Sequence, residues 1–182
     1  EVYTLGKSKA NNGLNIEIDA DEYFKYNKLT LILEAKGNVV IYDKEKDTTI
    51  KANEVFYEKN QNKFYTIGKT KVFVDKKYTI NTSDLLFLEK EMLLSSVKKT
   101  VLNDDLNNFY TLNEFEYQIN NEILKGKKVE IATNTDKPES DKYFFETGFF
   151  DFKQYKFLGK DVEIIFHKGM YDDIENDPRL KG

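Results

Sequence analysis

Few side chains in this sequence have the chemistry of a catalyst. One histidine, His167, closes the stretch Glu163-Ile164-Ile165-Phe166-His167, and there is no cysteine. A lone imidazole cannot make a multi-histidine metal site, and without thiolates neither a zinc cluster nor a disulfide framework can form. No Gly-x-Ser-x-Gly elbow and no Gly-x-x-x-x-Gly-Lys-Ser/Thr phosphate loop occurs. Asp19 and Asp21 have the alternate spacing of a calcium loop, but the next alternate residue is Tyr23 and no glycine follows where that loop must turn. They read as solvated charges on a strand face. Whether two carboxylates flank a glycosidic bond depends on their separation in the fold, which chain spacing does not give. By alternation His167 shares a face with Glu163, so it reads as exposed or simply hydrogen-bonded. The expectation is a protein without enzymatic activity, metal or cofactor.

The informative residues are apolar ones at alternate positions. In Leu14-Asn15-Ile16-Glu17-Ile18-Asp19-Ala20 every even residue is apolar and every odd one polar, the period of a half-buried strand. From Leu31 to Ile41 the odd positions carry Leu31, Leu33, Ala35, Gly37, Val39 and Ile41, with Glu34, Lys36 and Asn38 on the other face. Ile50-Lys51-Ala52-Asn53 and Phe115-Glu116-Tyr117-Gln118-Ile119 alternate likewise. Polar clusters that favour turns separate them: 26–28, 43–47, 58–63 and 103–108. Such inward faces suit either a dry core or an apolar groove. Small residues (Ala20, Ala35, Gly37, Ala52, Thr66, Gly68, Thr82) interleave with the large ones, which leaves room for a ligand or lets sheets pack closely.

The same unit recurs along the chain. Ile18-Asp19-Ala20-Asp21-Glu22-Tyr23-Phe24 returns as Ile50-Lys51-Ala52-Asn53-Glu54-Val55-Phe56 and, more loosely, as Ile80-Asn81-Thr82-Ser83-Asp84-Leu85-Leu86, at spacings of 32 and 30 residues. Further copies run from Leu112 through Gly126 to Ile131 and from Phe149 through Gly159 to Phe166. The stretch from Ser83 to Leu94 holds good helix formers, yet its alignment with the repeat assigns strand. Five strand-turn-strand copies predict roughly ten strands, and a one-sided sheet of that length must close over another. The predicted fold is all-β: a curled two-sheet β-jelly roll of about five repeats.

Composition agrees with this reading. The 182 residues suffice for one domain, and 14% aromatics with two prolines favour strands over disorder. With 28 basic and 32 acidic side chains spread along the chain, no basic face is available for a nucleic acid. No apolar run approaches the ~18–20 residues of a membrane helix. The start at Glu1 does not read as a signal peptide, so the protein is expected to be cytosolic or to have lost a signal before Glu1.

The phrase Ala20-Asp21-Glu22-Tyr23-Phe24 followed by Glu34-Ala35-Lys36-Gly37-Asn38-Val39 resembles the repeat of the OstA-like family, which contains the proteins LptA and LptC and the periplasmic N-terminal domain of LptD. The copies at 52–72 and 82–102 are similar but weaker. The tail, Phe166-His167-Lys168 and then Glu175-Asn176-Asp177-Pro178-Arg179-Leu180-Lys181-Gly182, resembles the junction that precedes the membrane barrel in LptD-type members. The resemblance implies an N-terminal extension at 1–13, a β-jelly roll at 14–167 and a linker at 168–182 toward an outer-membrane barrel. It implies a periplasmic domain of an outer-membrane protein of a Gram-negative bacterium, working in lipopolysaccharide transport. Lipopolysaccharide acyl chains would contact Ile16, Ile18, Ala20, Leu33, Ala35, Ile50, Ala52, Phe64, Val72, Ile80, Phe115, Tyr117, Phe150, Phe152 and Phe157. The implied partners are an LptA-like protein added at an edge strand, an LptE-like lipoprotein and the chain's own barrel. The expected edge is the strand from Leu14 to Ala20. The sequence departs from well-known members in lacking cysteines that would bond to the barrel. A structural or adhesive repeat with a dry core, or a stand-alone bridge protein of the LptA type, are the alternative readings.

Overall fold

Alternation over short segments separated by turn residues produces strands throughout. The computed structural model describes residues 1–11, 13–171 and 178–182. In chain order its strands are β1 (Val2–Leu5), β2 (Ser8–Asn11), β3 (Ile16–Ala20), β4 (Tyr23–Asn27), β5 (Ile32–Asp43), β6 (Thr48–Glu58), β7 (Lys63–Val74), β8 (Tyr78–Ser83), β9 (Leu86–Leu88), β10 (Leu93–Ser96), β11 (Thr100–Asn103), β12 (Phe109–Leu112), β13 (Glu114–Gln118), β14 (Ile123–Ala132), β15 (Lys142–Asp151), β16 (Lys156–Lys160), β17 (Glu163–Ile165) and β18 (Arg179–Lys181). All pairings are antiparallel. The segment from Ser83 to Leu94 forms the β9–β10 hairpin, as its place in the repeat predicts.

The pairings divide into two sheets folded about a shared corner. The first runs β1-β4-β5-β6-β7-β9-β10-β13-β14-β15-β16 and the second β2-β3-β5-β6-β7-β8-β11-β12-β14-β15-β17-β18. The long strands β5, β6, β7, β14 and β15 belong to both. Each bends midway and contributes one half to each sheet. The shorter ones do the same in pairs, so that β1–β2, β3–β4, β8–β9, β10–β11, β12–β13 and β16–β17 are passes broken at the corner, giving eleven passes among the described residues, with β18 an added strand beside β17. One copy of the 30-residue repeat is thus two passes and a hairpin.

Local backbone chemistry makes the bends. The β5–β6 register slips between Lys36 and Val39, and the β6–β7 register between Ala52 and Glu54. Gly37 (φ 84°) and Gly68 (φ 75°) take the left-handed conformation that a bulge requires and a side chain resists. A bend strands backbone groups, and hydroxyls next to the corner pair with them. Thr66 Oγ1 accepts from Leu85 N (3.0 Å) and contacts Thr70 Oγ1 (2.6 Å), while Ser96 Oγ donates to Ser83 O (2.7 Å). Thr82 and Thr100 share a hydrogen bond of 2.7 Å across the second sheet. Of the small residues read as inward, Ala20, Ala35, Gly37, Ala52, Thr66 and Thr82 are buried near the corner, whereas Gly68 is exposed. The hairpin turns lie at the margins away from the corner, and Lys77 of one row reaches Glu122 of the other at 3.9 Å, so the two rows face each other across a seam.

The structure corrects two expectations. The strand beginning at Leu14 is not an edge, because β3 is paired by β2 on one side and by β5 on the other. Among the described residues the edges on the N-terminal side are β1, paired with β4, and β2, paired with β3. His167 lies beyond the end of β17, so it shares no strand face with Glu163. Its backbone N and its Nδ1 both meet Asp141 Oδ1 at 2.8 Å. In the tail, Arg179–Lys181 pairs with β17, while residues 175–177 of the terminal motif lie outside the described residues.

A candidate lipid-binding cleft

The interior differs along its length. Toward the N-terminus Ile16, Ile18, Ala20, Ala35, Ile50, Ala52, Phe64, Val72 and Ile80 meet between the sheets in one buried cluster, with Leu33 packed on it at its margin. This part is packed in the way that interdigitating sheets pack. Phe115 and Tyr117 join the same cluster from β13. Of the fifteen residues predicted to contact lipid, twelve are thus buried in the cluster with Phe150, whereas Leu33 and Phe152 are partly buried and Phe157 is half exposed.

The buried cluster continues toward the C-terminus through Tyr78, Tyr110, Ile131, Phe145 and Phe150, and a cleft indents it there. A cleft of about 400 Å³ opens between Tyr78, Tyr110, Ile131, Tyr143 and Phe145 on the second sheet and Phe150, Phe152 and Phe157 on the first and its last turn. Aromatic rings bridge the two walls: Tyr78 stacks on Phe152 at 5.3 Å, and Tyr110 meets Phe152 edge-on at 5.6 Å and Phe150 at 6.4 Å. Phe145 meets Phe150 at 5.3 Å and Phe157 at 5.7 Å. Such edge-on contacts stabilise by roughly 0.5–1.5 kcal/mol each and leave angular gaps that flat packing would fill.

Charged side chains frame the mouth. Tyr110 donates to Asp104 Oδ2 (3.2 Å), and Tyr78 donates to Glu122 Oε2 (3.3 Å). Burial, reinforced by these carboxylates, pushes both phenols above their ordinary range, so they stay protonated donors. Glu122 sits in the turn between β13 and β14, and Lys77 in the turn between β7 and β8; their 3.9 Å ion pair spans the seam from sheet to sheet. A second cleft of about 260 Å³ lies on the far side of this bridge, walled by Val74, Tyr78, Tyr117, Ile119 and Glu122.

Of the predicted contact residues, the structure brings Phe150, Phe152 and Phe157 to the first cleft and Tyr117 to the second. The others wall the packed core, apart from Phe115, which also underlies a concavity on the outside. Sequence reasoning missed Tyr78 and Tyr110. Tyr110-Thr111-Leu112 does alternate, but it follows a polar cluster and reads as the end of a loop. A larger concavity, about 860 Å³, is on the outer face of the first sheet near Lys125, Phe149 and Leu158. Its wall carries ion pairs such as Lys127–Glu114 (2.9 Å), which an acyl chain would have to desolvate, so the smaller aromatic cleft is the better candidate. Among the described residues no group of three or more His, Cys, Asp or Glu side chains is placed to hold a metal ion.

No family model matches this sequence, and no curated protein matches it. Among solved structures that match is LptH of Pseudomonas aeruginosa, described as the LptA-homologous periplasmic component of the conserved lipopolysaccharide transport device. It is 9% identical, with a TM-score of 0.32, over 91% of this chain and 93% of that one.

Proposed function

We propose that this chain is a non-enzymatic transport module that holds lipopolysaccharide acyl chains between its two sheets. The observation that supports this best is the aromatic cleft at the C-terminal end, walled by both sheets and open at the seam. An acyl chain gains about 25 cal/mol per Å² of apolar area removed from water, so an open apolar interior is where it partitions. The finer reading follows the resemblance: a periplasmic domain like that of LptD, which receives lipopolysaccharide from an LptA-like bridge and passes it to the outer-membrane barrel with an LptE-like lipoprotein. A stand-alone bridge of the LptA type fits the same cleft. Among the described residues β1 and β16 are the edges of the first sheet, and they are suited to head-to-tail strand addition in either case.

A second reading has its own support. The packed interior around Ile41, Val72, Ile80 and Leu94, none more than 1% exposed, is what a purely structural or adhesive repeat would have. A melt separates the two, because a ligand that binds only the native state raises stability by RT ln(1 + [L]/Kd). The transport reading expects lipopolysaccharide to raise the melting temperature and lipid to co-purify. No shift at any lipopolysaccharide concentration, with no lipid in the purified protein, sinks it in favour of the structural reading.

A further inference from the structure

The Tyr117 side chain is fully buried, yet its hydroxyl has no hydrogen-bond partner among the described residues. A buried phenol without a partner is costly, because it has given up its hydrogen bonds to water and regained none. Two polar side chains around the same cleft are engaged with each other: Tyr78 donates to Glu122, and Glu122 also pairs with Lys77. The ring of Tyr117 meets Tyr78 edge-on at 5.7 Å, and its hydroxyl end feels the charges of Glu122 and Asp75, which stand with it around the second seam cleft. Tyr117 is thus among the residues around a cavity of about 260 Å³ that adjoins the aromatic cleft through the shared residues Tyr78 and Glu122, with its hydroxyl covered from solvent in the unliganded protein.

The charges around both clefts are mostly of one sign. Glu45, Asp47, Asp75, Asp104, Asp105, Glu122 and Asp151 face them against only Lys46, Lys77 and Lys156. A phosphate or carboxylate brought to Tyr117 would be set beside Glu122 in a poorly solvated place, where like charges repel strongly. An uncharged acceptor meets no such penalty.

We infer that the seam cleft at Tyr117 is a subsite for an uncharged oxygen of an acylated ligand, an ester or amide carbonyl or a hydroxyl, while its hydrocarbon lies along Tyr78, Phe152 and Tyr110. The inference rests on the acyl-binding reading and sharpens it. The anionic headgroup stays outside the seam, and Tyr117 selects the linkage between head and chain. The Tyr78–Glu122 contact is the partition between the two clefts, and a chain that occupies both must displace it.

Palmitic acid and its N-methylamide distinguish the possibilities at neutral pH by titration calorimetry, with the intact chain and with Tyr117→Phe. The amide is expected to bind the intact chain at least about tenfold more tightly than the carboxylate. Tyr117→Phe should weaken the amide about three- to tenfold, the worth of one hydrogen bond, and leave the carboxylate unchanged. Its melting temperature should be no lower than that of the parent, since only an unpartnered hydroxyl is removed. Amide binding that Tyr117→Phe does not alter, a carboxylate that binds as well as the amide, or a markedly lower melting temperature overturns the subsite. Binding of neither probe to the intact chain defeats the acyl-groove reading as well.

Discussion

Gly148 lies against the edge of the Phe150 ring, two residues along the same strand. A Cβ on Gly148 would stand 2.5 Å from Phe150 Cε2 and Cζ. Its cross-strand neighbours Gly126 and Gly159 are likewise occupied, by Leu112 and Phe145. Three glycines in register across β14, β15 and β16 therefore let large inward side chains fill the apex. Gly148→Ala should force the Phe150 ring off its position and cost about 1–3 kcal/mol, read from a urea melt. A cost near zero would show that the ring has free space.

The corner hydroxyls give a second test. Leu85 N donates to Thr66 Oγ1 in a buried setting. Thr66→Val keeps the shape and removes the acceptor, so it should cost about 1–3 kcal/mol and speed amide exchange at Leu85. Thr66→Ser should keep most of the stability, and the contrast isolates the hydroxyl.

Edge assignment predicts opposite outcomes for two prolines. Glu17→Pro falls in β3, which is paired on both sides, and should destabilise the whole fold by about 3 kcal/mol or more. Leu158→Pro falls in β16, exposed throughout and paired in the first sheet only with β15. It should leave the melt nearly unchanged and weaken end-to-end association, measured by sedimentation with a second copy or an LptA-like partner. Unchanged association would remove β16 from the interface.

Alkaline pH should destabilise the protein through its tyrosines. Burial, followed by Glu89, pushes Tyr57 from 10 up to about 12, and Tyr78, Tyr110 and Tyr117 are raised by burial as well. Between the unfolded and folded values the unfolded chain loses protons that the folded one keeps. The stabilisation is thus complete below pH 10 and falls away as pH rises toward 12 and beyond. Melting temperature should be level up to that point and then drop. Tyr110→Phe should make the drop shallower, and an unaltered slope would mean that its phenol titrates normally.

The repeat and the strand faces were legible because alternation and a 30-residue period survive in the sequence at Ile18, Ile50 and Ile80. The corner was not, since a bend needs only one residue out of register, and Asn53, where the β6–β7 pairing slips, has nothing distinctive about its type. Nor was the division of the interior into a packed core and a cleft that indents it. Ile16 and Phe150 carry the same inward signal, and only the angle at which Tyr110, Phe150 and Phe152 meet separates packing from opening. His167 was misplaced because an alternation count runs on past the end of β17, where Asp141 holds the backbone instead.

The most direct measurement of the central claim is photo-crosslinking to lipopolysaccharide from single positions. Phe152 lines the cleft between the sheets, and Leu33 sits at the margin of the packed core. Phe149 and Glu34 occupy outer faces, Phe149 at the external concavity and Glu34 hydrogen-bonded to the Tyr23 hydroxyl. If acyl chains enter between the sheets, a crosslinker at Phe152 should capture lipopolysaccharide strongly and one at Leu33 more weakly, while Phe149 and Glu34 should capture none. Capture at Phe149 without capture at Phe152, or at no position in a protein whose melt is intact, would contradict the account.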